Sequence, residues 1–180
     1  GERTVSTRRV YSGRVLGLRV DTVELPSGKQ TQREIVEHGG CAIIVPIDDQ
    51  GNVLLVRQYR KAVERELLEV PAGGVEPGED PAQCSARELE EETGYRAERI
   101  EPVGGFFSSP GFCTEYMHLF LATGLSPASA HPKPDDENIE VVPVPLSHIP
   151  QLIASGEICD AKSVAGLLLV LSLRQIRTKR

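Results

Sequence analysis

Apolar and polar positions change their period several times along the chain. Residues 9 to 37 read as strands joined by turns. Val15, Leu18 and Val20 precede a clearer alternation at Val23 and Leu25, Pro26-Ser27-Gly28 is a turn signal, and Thr31 to Val36 returns as a hairpin strand. This segment carries few large apolar residues, which predicts a small antiparallel sheet in need of a partner surface. A denser pattern starts at Cys41. CAIIVPI reads as a buried strand, residues 48 to 52 as a turn, and VLLVRQY as the next strand. Leu67 to Val70 is a short strand broken by Pro71 and two glycines. Tyr95 to Phe107 is extended with a turn at Gly104-Gly105, and Tyr116 to Ala122 is a further strand. IEVVPVPL follows a polar, proline-rich loop and suits a sheet edge, given Pro143 and Pro145. Residues 147 to 154 and 162 to 174 read as helices. The order is mixed α and β, without an internal repeat.

The segment between the short strand and Tyr95 has the period of a helix. Asp80 is a good N-cap, Pro81 fits the first helical position, Gln83 completes a capping box and Gly94 is a C-terminal stop. The helix is therefore expected over Pro81 to Thr93. Ala82, Ser85, Ala86, Leu89 and Thr93 share one face, and Glu88, Glu91 and Glu92 fall on the opposite one. Arg87 has two available partners, Glu91 across one turn and Glu79 in the preceding loop. Carboxylates three and four residues apart repel one another. Read alone, they are a solvated face with an ordinary ion pair. Read as a site, they are hard oxygen ligands for Mg²⁺ or Mn²⁺, with the Ala72 carbonyl as a further donor.

Length and charge narrow the classes. The 180 residues suit one domain with a small appendage. With 26 acids against 20 bases, the net charge of -6 argues against a nucleic-acid surface or an anionic membrane. No stretch is long enough to span a bilayer, and GERTVSTRR lacks the apolar core of a signal peptide. The four cysteines form no CxxC pair, so reduced thiols in a cytoplasmic protein are expected. No His/Cys cluster has zinc spacing.

Gly73, Glu79, Arg87-Glu88-Leu89, Glu91-Glu92 and Gly94-Tyr95 together resemble a complete Nudix box over 23 residues. VRQYR at 56 to 60, LLEVPAGGVEPGED at 67 to 80, SSPGFCTE at 108 to 115 and DDENIEVV at 135 to 142 are similar to the ADP-ribose pyrophosphatase group. The resemblance implies an α/β/α sandwich around a mixed sheet, with residues 38–175 as the hydrolase domain. Residues 1–37 would be a small sheet at a dimer interface and residues 176–180 a basic tail. It implies metal-dependent hydrolysis of the pyrophosphate of ADP-ribose or other ADP-sugars, to AMP and a sugar phosphate, with two or three Mg²⁺ ions for which Mn²⁺ can substitute. Glu88, Glu91 and Glu92 would ligate metal together with the Ala72 carbonyl, with Glu91 and Glu92 also counted as catalytic. Gly73, Glu79, Arg87 and Gly94 would be structural. The late loop would supply a catalytic glutamate, Glu137, with Glu140 as its rival.

Other residues keep two readings each. Arg57 and Arg60 either bind phosphate or ribose or form surface ion pairs. Tyr59 either stacks or packs. Glu69 binds a ribose hydroxyl or serves the attacking side of the metals. Arg33 is a candidate for contact across a homodimer. The competing functions are a pyrophosphatase for another nucleoside diphosphate derivative and a non-catalytic ADP-ribose-binding module of the same fold.

Overall fold

The computed structural model describes residues 1–128 and 139–178, with side chains described to residue 175. The chain divides into two compact units. One is Gly1–Gly40 with Phe106–Met117, and the other is Cys41–Gly105 with His118–Arg180.

The first unit is built on a three-stranded antiparallel sheet, β1 (Arg3–Ser12), β2 (Leu16–Glu24) and β3 (Gln30–His38), in that order. The β2–β3 turn closes where proline, serine and glycine predict it. Gly28 takes φ 77° and its N–H donates to the Leu25 carbonyl at 2.8 Å. The expectation began the sheet near residue 9, but β1 starts at Arg3. All ten of its residues are exposed, so no buried apolar stripe marks this strand in the sequence. The 106–117 segment joins β3 through Val36, whose N–H donates to Phe112 and whose carbonyl accepts from Thr114.

In the second unit the apolar runs form its centre. β4 (Cys41–Pro46) is buried along its whole length, and so are Val53 to Val56 of β5 (Asn52–Arg60). The turn between them is tied by Asp48, whose carboxylate accepts from the N–H groups of Gln50 and Asn52. Sheet order is β10-β5-β6 and β7-β4-β9-β8. Here β6 is Arg65–Glu69, β7 Ala72–Gly74, β8 Tyr95–Phe107, β9 Tyr116–Pro127 and β10 Ile139–Pro145. The uniform burial of β4 has a cause on each face. Ala42 and Ile44 pack with Cys84 and Leu89 of helix α1 (Pro81–Thr93), together with Phe120 and Ala122 of β9. Val45 and Leu119 face Gly166 of α3 (Ala161–Thr178). A strand covered on both sides has no polar face, so the sequence runs apolar without alternation.

Three local expectations change. Ala72-Gly73-Gly74 pairs with Cys41 to Ile43 as a short edge strand, because the backbone of a glycine segment still satisfies a neighbouring ladder. β8 runs through Gly104-Gly105 without a break, although Gly104 takes φ 139°. α3 begins at Ala161 and runs to Thr178, into the stretch expected as a basic tail. The short α2 (Ile149–Ala154) precedes it.

Candidate active site

Helix α1 is placed by its ends. Asp80 accepts from the Ala82 N–H at 2.8 Å and the Gln83 side chain accepts from the Asp80 N–H at 3.3 Å, forming the capping box. Gly94 takes the left-handed φ of 73° and donates to the Glu90 carbonyl at 2.9 Å. The buried stripe is Cys84, Ser85, Leu89 and Thr93, while Ala86 is exposed. Burial drives the Cys84 thiol up to about 12, with the Glu79 charge adding to the rise, so this sulfur stays a neutral core group.

The carboxylates do not lie on a wholly solvated face. Glu88 and Glu92 are 6% and 8% exposed, whereas Glu91 is half-buried. Two backbone features bring this about. A β-carbon at Gly73 would fall on the Glu88 carboxylate, so only glycine lets β7 and that side chain share the space. The Ala72 N–H donates to Glu92 Oε2 at 3.2 Å, which sets the main chain of β7 beside the second carboxylate.

Arg87 binds both of its expected partners. Its Nε and Nη2 donate to the two Glu79 oxygens at 2.9 and 3.0 Å, and Nη2 also reaches the Gly74 carbonyl at 3.2 Å. Its Nη1 donates to Glu88 at 2.6 Å and to Glu91 at 3.4 Å. The loop, the strand and the helix are thus tied by one guanidinium. That fork holds Glu79 down to about 2, helped by the Glu76 N–H.

The donors gathered here are three carboxylates and a main-chain segment, all hard oxygens once Ala72 offers its carbonyl. That chemistry fits Mg²⁺ or Mn²⁺. Among the described residues, no three acid, histidine or cysteine side chains stand close enough together to hold a metal ion as placed, and Arg87 supplies the counter-charge to Glu88 and Glu91.

A second polar cluster lies on β5 and β6. Glu69 is 1% exposed and accepts from Arg60 Nε and Nη2, each at 2.8 Å. Burial alone would raise its pKa, but Arg60 and Lys162 reverse the sign and hold it below the ordinary carboxylate range. Arg57 makes a 3.3 Å ion pair with Glu157, and Tyr59 is 51% exposed. In the β5–β10 register, Glu140 stands opposite Arg57. Glu137, with Asp135 and Asp136, lies outside the described residues. Arg33 belongs to the other unit. There it pairs with Glu2 at 2.6 Å and lines a cleft of about 360 Å³ with Arg19, Ile35 and Phe112.

Sequence reasoning missed Lys162, Ser163 and Asp160. Lys162 reaches Glu69, and the Ser163 hydroxyl accepts from the buried Val70 N–H at 2.9 Å. The partners are 93 residues apart, and no local pattern links them. The one available signal was Asp160 as an N-cap, which would have set α3 one residue earlier.

Residues 37–165 match the NUDIX domain, and residues 2–36 match the nucleoside diphosphate sugar hydrolase N-terminal domain. The chain is 43% identical over 167 residues to an ADP-ribose pyrophosphatase of Bacillus subtilis (strain 168), covering 92% of this chain and 90% of that one. It is equally similar, at 43% with the same coverage, to a methanol dehydrogenase activator of Bacillus methanolicus. A crystal structure of an ADP compounds hydrolase superposes with TM-score 0.89 at 24% identity, covering 98% of this chain and 95% of that one. No helix among the described residues is long and apolar enough to cross a membrane.

Proposed function

The chain belongs to the Nudix family as a hydrolase, and from that premise we propose that it splits the pyrophosphate of ADP-ribose or a related ADP-sugar into AMP and a sugar phosphate. The observation that carries this is the placing of Glu88 and Glu92 of α1 against the main chain of Gly73 and Ala72, with Glu91 joined to Glu88 through Arg87. The choice of ADP-ribose is supported by the B. subtilis relative and by the quoted segments outside the box.

Each residue has a task in this reading. Glu88, Glu91 and Glu92, with the Ala72 carbonyl, hold divalent ions, Mg²⁺ in the first place with Mn²⁺ as a substitute, two or three in number. Bound there, such ions supply Lewis acidity at the phosphate oxygens. Glu79 and Arg87 keep the β7 loop closed on the helix, and Gly73 leaves room for the Glu88 carboxylate. Arg57 and Arg60 offer cationic donors to phosphate or ribose, and Tyr59 offers an exposed ring for stacking. Glu69 orients Arg60 through its two-oxygen fork. Glu137 takes a proton from the attacking water, with Glu140 as the alternative base. Arg33 contacts the nucleotide from a second copy of the chain.

A homodimer through the N-terminal sheet belongs to the proposal. Its support is the full exposure of β1 and of apolar Val5, Val10, Tyr11, Val15 and Leu16. A cytoplasmic setting is supported by four cysteines that form no disulfide.

The test is a panel of ADP-ribose, ADP-glucose, UDP-glucose, NADH, diadenosine polyphosphates and dGTP with Mg²⁺ or Mn²⁺, its products resolved by chromatography. ADP-ribose is expected to turn over best. Turnover of dGTP alone would defeat the substrate assignment. Binding of ADP-ribose without any hydrolysis would favour the non-catalytic module. Glu137→Gln and Glu140→Gln separate the two bases: a silent first variant and a dead second one would move the role to Glu140.

A further inference from the structure

Lys162 stands where helix electrostatics disfavours it. It lies in the first turn of α3, at the end where a helix presents unpaired N–H groups and favours anions. It is also largely buried, its side chain 12% exposed. Helix stability therefore does not account for a cation here.

Its contacts do. The ammonium donates to Asp160 Oδ2 at 2.7 Å and also to Glu69 Oε2, the same oxygen that accepts from Arg60 Nη2. Asp160 is in turn held by the Ser163 N–H at 3.2 Å, and its Oδ1 is buried with no hydrogen-bond partner among the described residues. The four groups balance, two cations against two carboxylates. Within them, Glu69 alone faces two cations. A single Arg60–Glu69 pair would be neutral. Lys162 is shared between Glu69 and Asp160, so the cluster stays neutral, and the Arg60 side chain, 40% exposed, is its solvent-facing member. The charge of Glu92 acts on Arg60 as well, so the guanidinium lies within electrostatic reach of the glutamate helix.

We propose that Lys162 is a positioning residue: by fixing the Glu69 carboxylate from α3, it sets the attitude with which Arg60 meets the diphosphate. The inference rests on the substrate reading above, since Arg60 needs an anionic ligand to meet. It assigns to the α3 N-terminus a role in substrate binding exercised across two residues, Glu69 and Arg60, without contact of its own.

The experiment compares wild type with Lys162→Met, Lys162→Arg, Arg60→Ala and the double variant Arg60→Ala/Lys162→Met. Its measurements are KM and kcat for ADP-ribose, calorimetric binding of the non-hydrolysable α,β-methylene analogue with Mg²⁺, and thermal unfolding. Lys162→Met is expected to raise KM and the analogue's Kd roughly tenfold, as loss of an orienting outer group commonly does. kcat should change much less, and Lys162→Arg should restore most of the loss. In the Arg60→Ala background, Lys162→Met should add nothing further to KM. Should Lys162→Met fail to fold, Lys162→Gln keeps hydrogen-bond donors without the charge and takes its place. A lowered melting temperature with unchanged KM and Kd would overturn the inference, reducing Lys162 to a structural role. An undiminished effect in the Arg60→Ala background would overturn it too. Wild type that neither hydrolyses ADP-ribose nor binds the analogue would bring down the substrate reading, and this inference with it.

Discussion

The missing side chain at Gly73 separates a chemical role from a stability role. A methyl there collides with the end of a flexible glutamate side chain, so the Glu88 carboxylate shifts while the backbone stays. Gly73→Ala should therefore cut kcat/KM by about 10²-fold, the usual effect of a misplacement near 1 Å, with unfolding almost unchanged. A parallel loss of activity and stability would show that the glycine serves the strand. Glu79 gives a pH signature. Its pKa falls from an ordinary 4.5 to about 2 in the folded chain. The Arg87 clamp thus stabilises fully above pH 4.5 and is lost as pH falls toward 2. Glu79→Gln should lower stability at neutral pH and flatten the acid limb of a denaturation series. An acid limb identical to wild type would rule the clamp out as its source. For the metal ligands, Glu92→Gln retains an acceptor for the Ala72 N–H. It should lower turnover by on the order of 10²-fold or more while the fold persists. Unchanged activity would remove Glu92 from the metal set.

At the scale of elements, legibility followed the range of the signal. Helix α1 was readable to both ends because Asp80, Gln83 and Gly94 act within one turn of the residues they cap. β4 was readable because burial on both faces leaves an unbroken apolar run. The strand character of Ala72–Gly74 was not, since glycine carries no side-chain pattern and its pairing with β4 is made by backbone alone. The burial of Glu88 and Glu92 was hidden for a related reason: it depends on β7 lying over the helix. The Glu69–Lys162 contact joins residues whose neighbours in sequence say nothing of each other. The C-cap offers a check on the local part of this account. Gly94→Ala forces a β-carbon into left-handed backbone and should cost about 1–2 kcal/mol in chemical denaturation. A neutral outcome would mean that α1 is held by its packing and not by its stop.

For the whole molecule, the two units pose different demands. The one that holds the glutamate helix buries a continuous apolar centre in Ile43, Ile44, Leu55, Leu89, Leu119 and Leu167. The N-terminal sheet has little of its own: along β1 no residue is buried, and Val23 and Asp21 are the buried positions of β2. A sheet so poor in buried side chains gains stability by association. Sedimentation is expected to find a dimer at micromolar concentration, and a monomer there would remove this sheet from any interface.

The prolines of β10 have a consequence for life at high concentration. β10 is the outer strand of its sheet, and Pro143 and Pro145, two residues apart, pair in register with Leu54 and Asn52 of β5. Residues spaced by two send their amide nitrogens to the same side, and proline has no hydrogen to offer there. A neighbouring molecule approaching this border would find its carbonyls unanswered at two successive rungs. Growth of the sheet from one molecule into the next is thereby blocked, by two residues that leave the ladder to β5 intact.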